Sequence, residues 1–393
     1  MRFQSYFNTA IKIIQLYDAS MPLSHFLKQY FSQHKKHGSK DRKIIAHICY
    51  NFYRLGKSFT KISTEEKLKI AIFICNDVID EWLFLYDEEW LQHQSIFLEQ
   101  RITFLQKKYA CFLNDVFPFA NEASNTLDIS AFTRSFFIQP DVFLRIRPGC
   151  TEKVISKLKE HEISFKSIDE DCIALPSSIS INSIINIDEE VVIQDYSSQR
   201  VKAFLNIIQS QLQNSESQIN VWDCCAGSGG KSILAYDTFK EINITVSDVR
   251  TSIIQNLKQR FAAAGIKKYK SFIADITKAS FQIQNSNFNI VICDAPCTGS
   301  GTWSRTPEQL YSFSNEKLNE YVLLQKKIIS NTVSLLNSNG LFLYITCSVF
   351  KKENEENVDY IKNQFHLELI KMELLKGYQS KADTMFAALF KKK

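Results

Sequence analysis

Glycine and proline are scarce in this chain, with 11 and 7 copies in 393 residues. No glycine occurs between Gly56 and Gly149, which suits helices and leaves few tight turns there. No run of 18 uncharged apolar residues exists, so no membrane span is expected. The N-terminus carries Arg2, Gln4, Asn8 and Lys12 among its apolar residues and lacks the continuous apolar core of a secretory signal. The ten cysteines have no small-domain disulfide spacing. Cys75, Cys225 and Cys293 sit inside apolar runs as small hydrophobes, which points to a reducing, cytoplasmic setting. His34 and His37 have no further His or Cys nearby to complete a metal set, so they read as surface residues and no metal is expected. The formal charge of +5 is mild. It tolerates a polyanionic partner without demanding one.

The length allows two or three domains with sizeable cores. Residues 1–130 read as helices. Leu23, Phe26, Leu27, Tyr30 and Phe31 recur on one helical face after Pro22, and Ile44, Ile45, Ile48, Cys49 and Phe52 follow the opening Ser39-Lys40-Asp41-Arg42. Leu68 to Val78 and Ile96 to Phe112 predict a third and a fourth helix. From residue 131 to 200 the pattern is that of a small α+β unit. Phe143 to Gly149 reads as a strand with Arg145 and Arg147 on one face, Val154 to Leu158 as a helix, and Ile163–Phe165, Cys172–Leu175 and Val191–Ile193 as short strands. The two arginines could grip phosphates through their planar forks or could line a solvated strand face. The polar tract Gln209 to Gln218 leads into the last region.

Residues 201–393 alternate strand and helix patterns, which implies a mostly parallel sheet covered on both faces. Asn220–Cys224 is strand-like and runs into Cys225-Ala226-Gly227-Ser228-Gly229-Gly230-Lys231-Ser232. A glycine-rich turn between strand and helix brings backbone amides up to a ligand. Asp248 follows a second strand pattern, about 20 positions on, where a ribose hydroxyl pair would be bound. Asp275 follows a third, and Asp294 a fourth (Ile290–Cys293). The loop is not a Walker A motif, because Cys225 stands where its first glycine belongs, and Gly227-x-Gly229-Gly230 lacks the nicotinamide spacing. A phosphate-free nucleoside cofactor such as S-adenosylmethionine suits it better. After Asp294 come Pro296, Cys297, Gly299 and Gly301, a carboxylate and a thiol on a loop at a strand end, running on to Arg305. Leu341 to Ile345 predicts a last apolar strand after an Asn339-Gly340 turn, ending in Thr346-Cys347-Ser348 with a candidate nucleophile.

The set Asp223 to Ser232, Asp248, Asp275, Asp294-Ala295-Pro296-Cys297 and Thr346-Cys347-Ser348 resembles the Sun-type (RsmB-like) RNA 5-methylcytosine methyltransferases, in order and spacing, over nearly the whole chain. Pro22 through Arg54 resembles the helical NusB-like RNA-binding domain that precedes some of them. The resemblance implies a multidomain chain: a NusB-like all-α region, a small α+β RNA-binding unit, and an α/β Rossmann-like class I methyltransferase domain using S-adenosylmethionine. It further implies that Cys347 adds to carbon 6 of cytosine, that Cys297 assists release, and that Asp294 contacts the base. Cys225 to Lys231, Asp248, Asp275 and Asp294 would hold the cofactor, and Arg145, Arg147 and Arg305 the RNA. Gly227 and Ser228 replace the Ala-Pro usual in that loop, which bears on cofactor affinity. The expected partner is RNA, ribosomal rather than transfer, with a monomeric protein. A tRNA enzyme and a non-catalytic RNA-binding assembly factor are the rivals. A DNA enzyme would place its nucleophile in Pro-Cys-Gln, whereas Pro296-Cys297 is followed by Thr298.

Overall fold

The structure is a computed structural model that describes residues 2–393 except 110, 111, 178, 213–217, 240, 279, 280, 282 and 284–286. Parts of the Ile96–Phe112 and Gln209–Gln218 tracts lie outside the described residues. The chain divides into two compact units: residues 1–121, 128–139 and 302–314 in one, and 122–127, 140–301 and 315–393 in the other. No helix among the described residues is long and apolar enough to cross a membrane.

The first unit is helical. Its helices include Arg2–Leu16, Leu23–Gln33, Ser39–Arg54, Thr64–Cys75 and Leu98–Lys108. Most of the face read from the sequence is buried, Leu23, Leu27, Tyr30 and Phe31 in one helix and Ile45, Ile48, Cys49 and Phe52 in the next, while Phe26 and Ile44 are half-buried at its margin. Ser39–Arg54 starts where Asp41 reaches back to accept the Gly38 N–H at 3.0 Å, a local cap. Pro22 offers Leu23–Gln33 no side-chain cap. Glu308 supplies it instead, accepting the Leu23 N–H at 3.2 Å, because residues 302–314 belong to this unit. The third helix stops at Cys75 rather than Val78, where the Asn76 side chain donates to Ile72 O at 2.7 Å. Of the pair read as surface histidines, only His37 is buried, while His34 is half-exposed. His37 is buried edge-on against Phe31, and His34 stacks on Tyr30.

The second unit holds two sheets. In the smaller, β1 (Val142–Ile146), β2 (Lys166–Asp169), β3 (Cys172–Leu175) and β4 (Val191–Ile193) pair antiparallel in the order β2-β3-β1-β4. Leu144, Ile146, Ile173 and Leu175 pack with Val154 and Leu158 of the helix Thr151–Glu160. The apolar pattern Ile163–Phe165 is not a strand. Its residues pack on this core as a connection, and the strand begins at Lys166.

In the larger sheet the strands are β5 (Ile219–Asp223), β6 (Ile242–Asp248), β7 (Tyr269–Ile273), β8 (Phe288–Asp294), β9 (Leu336–Thr346), β10 (Glu368–Leu375) and β11 (Met385–Lys391). Their order is β10-β11-β9-β8-β5-β6-β7. From β7 to β9 neighbours run parallel, while β11 is antiparallel to β9 and β10. Strand order reverses between β5 and β8, and ligands bind beyond the carboxyl ends at such a switch point. The Asn339-Gly340 turn lies inside β9 rather than before it. Asn339 takes φ 62°, and the pairing with β8 slips between Phe288 and Ile290.

Arg145 and Arg147 do project from one strand face, but that face is not solvated. It meets the helix Gly230–Phe239, where Asp237 accepts from Arg145 Nη1 and from Arg147 Nη2, each at 2.6 Å. Arg145 Nε also donates to Gln194 Oε1 at 2.9 Å, and Arg147 Nη1 to Ala264 O at 2.7 Å. The three charged side chains are 3%, 12% and 7% exposed. Their pairing holds the small sheet to the large one, so the phosphate-gripping role expected for these arginines is replaced by an internal one. Replacing Asp237 by Ala leaves two enclosed guanidinium groups without an anion. The expected cost is about 3 kcal/mol or more of stability. Urea denaturation checks it, and an unchanged midpoint would contradict the account.

Candidate active site

Three parallel strands end in aspartates. Asp223 closes β5, Asp248 closes β6 and Asp294 closes β8, while Asp275 lies two residues past β7. As the last residues of their strands, Asp223, Asp248 and Asp294 lie at the carboxyl edge of the sheet, where the helices that follow leave a crevice. A cavity of about 540 Å³ opens there. Cys225, Asp248, Asp275, Asp294 and Cys297 line it, together with Ile276, Leu324 and Ile328. One wall is thus acidic and the other apolar.

The loop Cys225–Lys231 joins β5 to the helix Gly230–Phe239. Gly227 and Gly229 take φ 52° and 87°, and a Cβ at Gly229 would stand 2.9 Å from Phe261. Only glycine fits that second position without displacing the helix behind it. The Gly227 N–H donates to Asp248 Oδ2 at 3.1 Å. Arg250 fills the rest of the Asp248 carboxylate, with its N–H at 2.9 Å and Nε at 3.0 Å from Oδ1 and Nη2 at 3.2 Å from Oδ2. Burial would raise the Asp248 carboxyl, but these donors hold it below the usual carboxylate range. The hydroxyl and N–H of Thr277 do the same for Asp275. Asp223 is enclosed, with Oδ2 accepting from Ser232 Oγ at 2.6 Å, and burial pushes its carboxyl up to about 7. It therefore supports the loop rather than facing the cavity.

Lys231 reaches past the loop, donating to Ser198 Oγ at 2.7 Å and Asp294 Oδ2 at 3.1 Å. Burial favours its neutral amine, yet the neighbouring Asp294 and Cys347 prevail and hold it above the usual lysine value. The site therefore keeps a cation beside Asp294. Cys347 follows directly on β9, and its N–H donates to Cys297 Sγ at 3.3 Å. Contact with Cys347, and then burial, push the Cys297 thiol well above its ordinary value. The structure brings Cys297, Cys347, Asp294 and Lys231 together. Arg305 lies in the other unit, half-buried.

Beneath the two thiol loops is a buried polar knot. Glu353 Oε1 accepts from the Thr298 N–H and from Gln325 Nε2, both at 2.9 Å, and Oε2 accepts from Thr298 Oγ1 at 2.6 Å and from Ser348 Oγ. Thr298 follows Cys297, and Ser348 follows Cys347. One carboxylate therefore ties both loops. Burial pushes it up, and the four donors oppose the shift. Sequence reading missed Glu353, as nothing in its spacing separates it from Glu355 and Glu356. Arg250 and Ser198 were missed for the same reason, although each adjoins a motif that was read.

Comparison with known proteins bears on the same residues. Residues 207–390 match the family model described as 16S rRNA methyltransferase RsmB/F. A probable ribosomal RNA small subunit methyltransferase B from Bacillus subtilis (strain 168) is 26% identical over 196 residues, covering 50% of this chain and 42% of its own length. The tRNA (cytosine(72)-C(5))-methyltransferase NSUN6 of Homo sapiens is 26% identical over 168 residues, 40% of this chain and 35% of its own. The chain thus spans less than half the length of either relative. The crystal structure of PH0851 shares the fold over 98% of both chains, with a TM-score of 0.69 at 18% identity. All the residues gathered at the cavity fall inside the matched region, and it is in that region that the chain is similar to the RsmB/F methyltransferases.

Proposed function

We propose that this protein is an S-adenosylmethionine-dependent RNA cytosine-5 methyltransferase, acting on ribosomal RNA of the small subunit. The observation that carries the reading is the meeting of two thiols from different strand ends. Cys347 donates its N–H to Cys297 Sγ at 3.3 Å, beside a carboxylate that holds a lysine. Carbon 5 of cytosine is too weak a nucleophile to take a methyl group unaided, and addition of a thiolate at carbon 6 makes it enamine-like. A retained cation nearby is what a reactive thiolate needs.

The cavity fits the cofactor that supplies the methyl group. Asp248 and Asp275 sit at adjacent strand ends on its acidic side, and Ile276, Leu324 and Ile328 give an apolar wall for a flat ring. The Arg250 side chain on Asp248 is 61% exposed, so it can swing into solvent and free the carboxylate for hydroxyl donors. A Cβ built at Gly227 or Gly230 meets nothing within 4 Å, which leaves open space against that stretch of backbone.

In the reaction Cys347 adds to carbon 6, and Asp294 holds the base through N3 or the exocyclic amine. Once carbon 5 carries the methyl group, a water molecule takes its proton, the freed electron pair re-forms the double bond between carbons 5 and 6, and the bond from carbon 6 to Cys347 Sγ breaks, the sulfur leaving with that bond's electrons. Cys297, kept as a neutral thiol, assists that expulsion. The helical unit, whose Pro22–Arg54 stretch carries the NusB-like resemblance, serves RNA binding.

Cys347→Ala should abolish methylation while leaving cofactor binding intact, as read by isothermal titration; turnover by this variant would refute the assignment. Cys297→Ala should instead accumulate a covalent protein–RNA adduct, seen as a retarded band on a denaturing gel. Bisulfite sequencing of total RNA, with and without the protein and with Cys347→Ala added back, identifies the RNA. A lost site in tRNA would overturn the ribosomal assignment, and no lost site would favour the assembly-factor rival. Glu353→Ala should leave Thr298, Gln325 and Ser348 without their acceptor, at a cost of about 3 kcal/mol in urea unfolding. Adduct formation should slow with it, since the thiols lose their common tether.

A further inference from the structure

Ser228 lies between two left-handed glycines, Gly227 and Gly229. Such a peptide has wide conformational freedom, and fixing it costs entropy unless something outside holds it. The inner side of the loop is held by Gly229 N–H on Ala226 O at 2.8 Å and by Gly227 N–H on Asp248. Its outer tip is held by Arg260, on the helix Thr251–Ala263. Arg260 Nη1 donates to both Ser228 O and Ser228 Oγ, each at 3.0 Å. The rest of the guanidinium faces Asp188, with Nε at 2.9 Å from Oδ2 and Nη2 at 2.7 Å from Oδ1. The pair is 16% and 8% exposed, so solvent does little to loosen it.

Asp188 is itself fixed from three directions. Its φ is 67°, its N–H donates to Val191 O at 2.7 Å, and its carbonyl accepts from Arg147 Nη1 at 3.0 Å. Arg147 in turn holds Asp237, on the helix that begins where the loop ends. The small sheet therefore grips the loop at its tip and the following helix near its far end. Neither Arg260 nor Asp188 lines the cavity. Their action on a ligand passes through Ser228 and its neighbours.

We propose that the Arg260–Asp188 pair is the positioning element of the cofactor loop, setting the Cys225–Lys231 backbone before S-adenosylmethionine arrives. The inference rests on the reading that this loop binds that cofactor. A pre-set loop spares the ligand the ordering cost, so losing the pair should appear as weakened affinity. A pair that merely stapled the domain together would affect global stability and leave the loop as it was.

The test uses the full chain, with Arg260→Met, Asp188→Asn and Arg260→Lys as variants. Arg200→Met is the control, since Arg200 pairs with Glu373 elsewhere in the same unit. Calorimetry gives the dissociation constant for S-adenosylmethionine, and hydrogen exchange of residues 225–231 in the ligand-free protein reports the loop directly. Arg260→Met and Asp188→Asn should each raise the dissociation constant about tenfold, the loss of one charge-assisted pair. The double variant should be no worse than either single one. Exchange should quicken in the loop alone, Arg260→Lys should fall between, and Arg200→Met should match the unaltered protein. An unchanged dissociation constant, or exchange quickened evenly through the unit, overturns the proposal. If the unaltered protein binds no S-adenosylmethionine, the functional reading falls. The exchange measurement needs no ligand and still decides whether the pair holds the loop.

Discussion

Two thiols carried on separate loops stay in contact only if something rigid holds those loops together. Here that constraint is the Glu353 carboxylate. It is fully buried, and it accepts from the backbone of one loop and from hydroxyls of both. A buried carboxylate is costly unless its lone pairs are filled, and each donor that fills them belongs to a segment whose placement matters. Gln325, the fourth donor, comes from the helix Asn315–Val333, which also supplies Leu324 and Ile328 to the cavity wall. Desolvation of Glu353 is offset by the same bonds that bring Cys297 and Cys347 into contact.

Charge is divided in the same economical way at the cavity. The Lys231 amine lies between Ser198 and Asp294, with Cys347 near enough to help keep it charged. Cys297, by contrast, is held as a neutral thiol. Two chemically identical side chains thus meet different surroundings, Cys347 close to a cation and Cys297 at the cavity wall against its partner. That difference in surroundings is what the proposed division of labour, one thiol as nucleophile and the other in the departure step, calls for.

The sheet and its edge were legible in the sequence because period and position agree there. Short apolar runs such as Ile290–Cys293, closed by turn residues, read as buried strands, and an acid after each of several runs marks the carboxyl edge. The two cysteine motifs were legible for the same reason. Long-range partners were not. Glu353 is one glutamate among several in a polar stretch, and its role exists only once β9 and the Cys297 loop are neighbours. Glu308 as a cap for a helix 285 positions away is equally invisible to a local reading. Turn chemistry misled in one place: Asn339-Gly340 has the signature of a loop but forms an irregularity within a strand.

Arg145 and Arg147 mark the physical limit of reading charge from a pattern. Alternating apolar and basic residues fix which face the arginines share, and that much held. Whether the face meets solvent or another element depends on Asp237, ninety or so positions on, on a helix that the strand pattern does not address. The same holds for Asp188 with Arg260 and for Glu190, which is fully buried between Lys153 and Lys157. In the two arginine clusters the cations are consumed inside the unit, where partly buried geometry makes them worth more than surface ion pairs, whereas Lys153 stays 57% exposed. Arg145, Arg147 and Arg260 therefore add little to any basic surface offered to a polyanion. What these arginines do instead is hold a small antiparallel sheet against the helix that opens at the glycine loop.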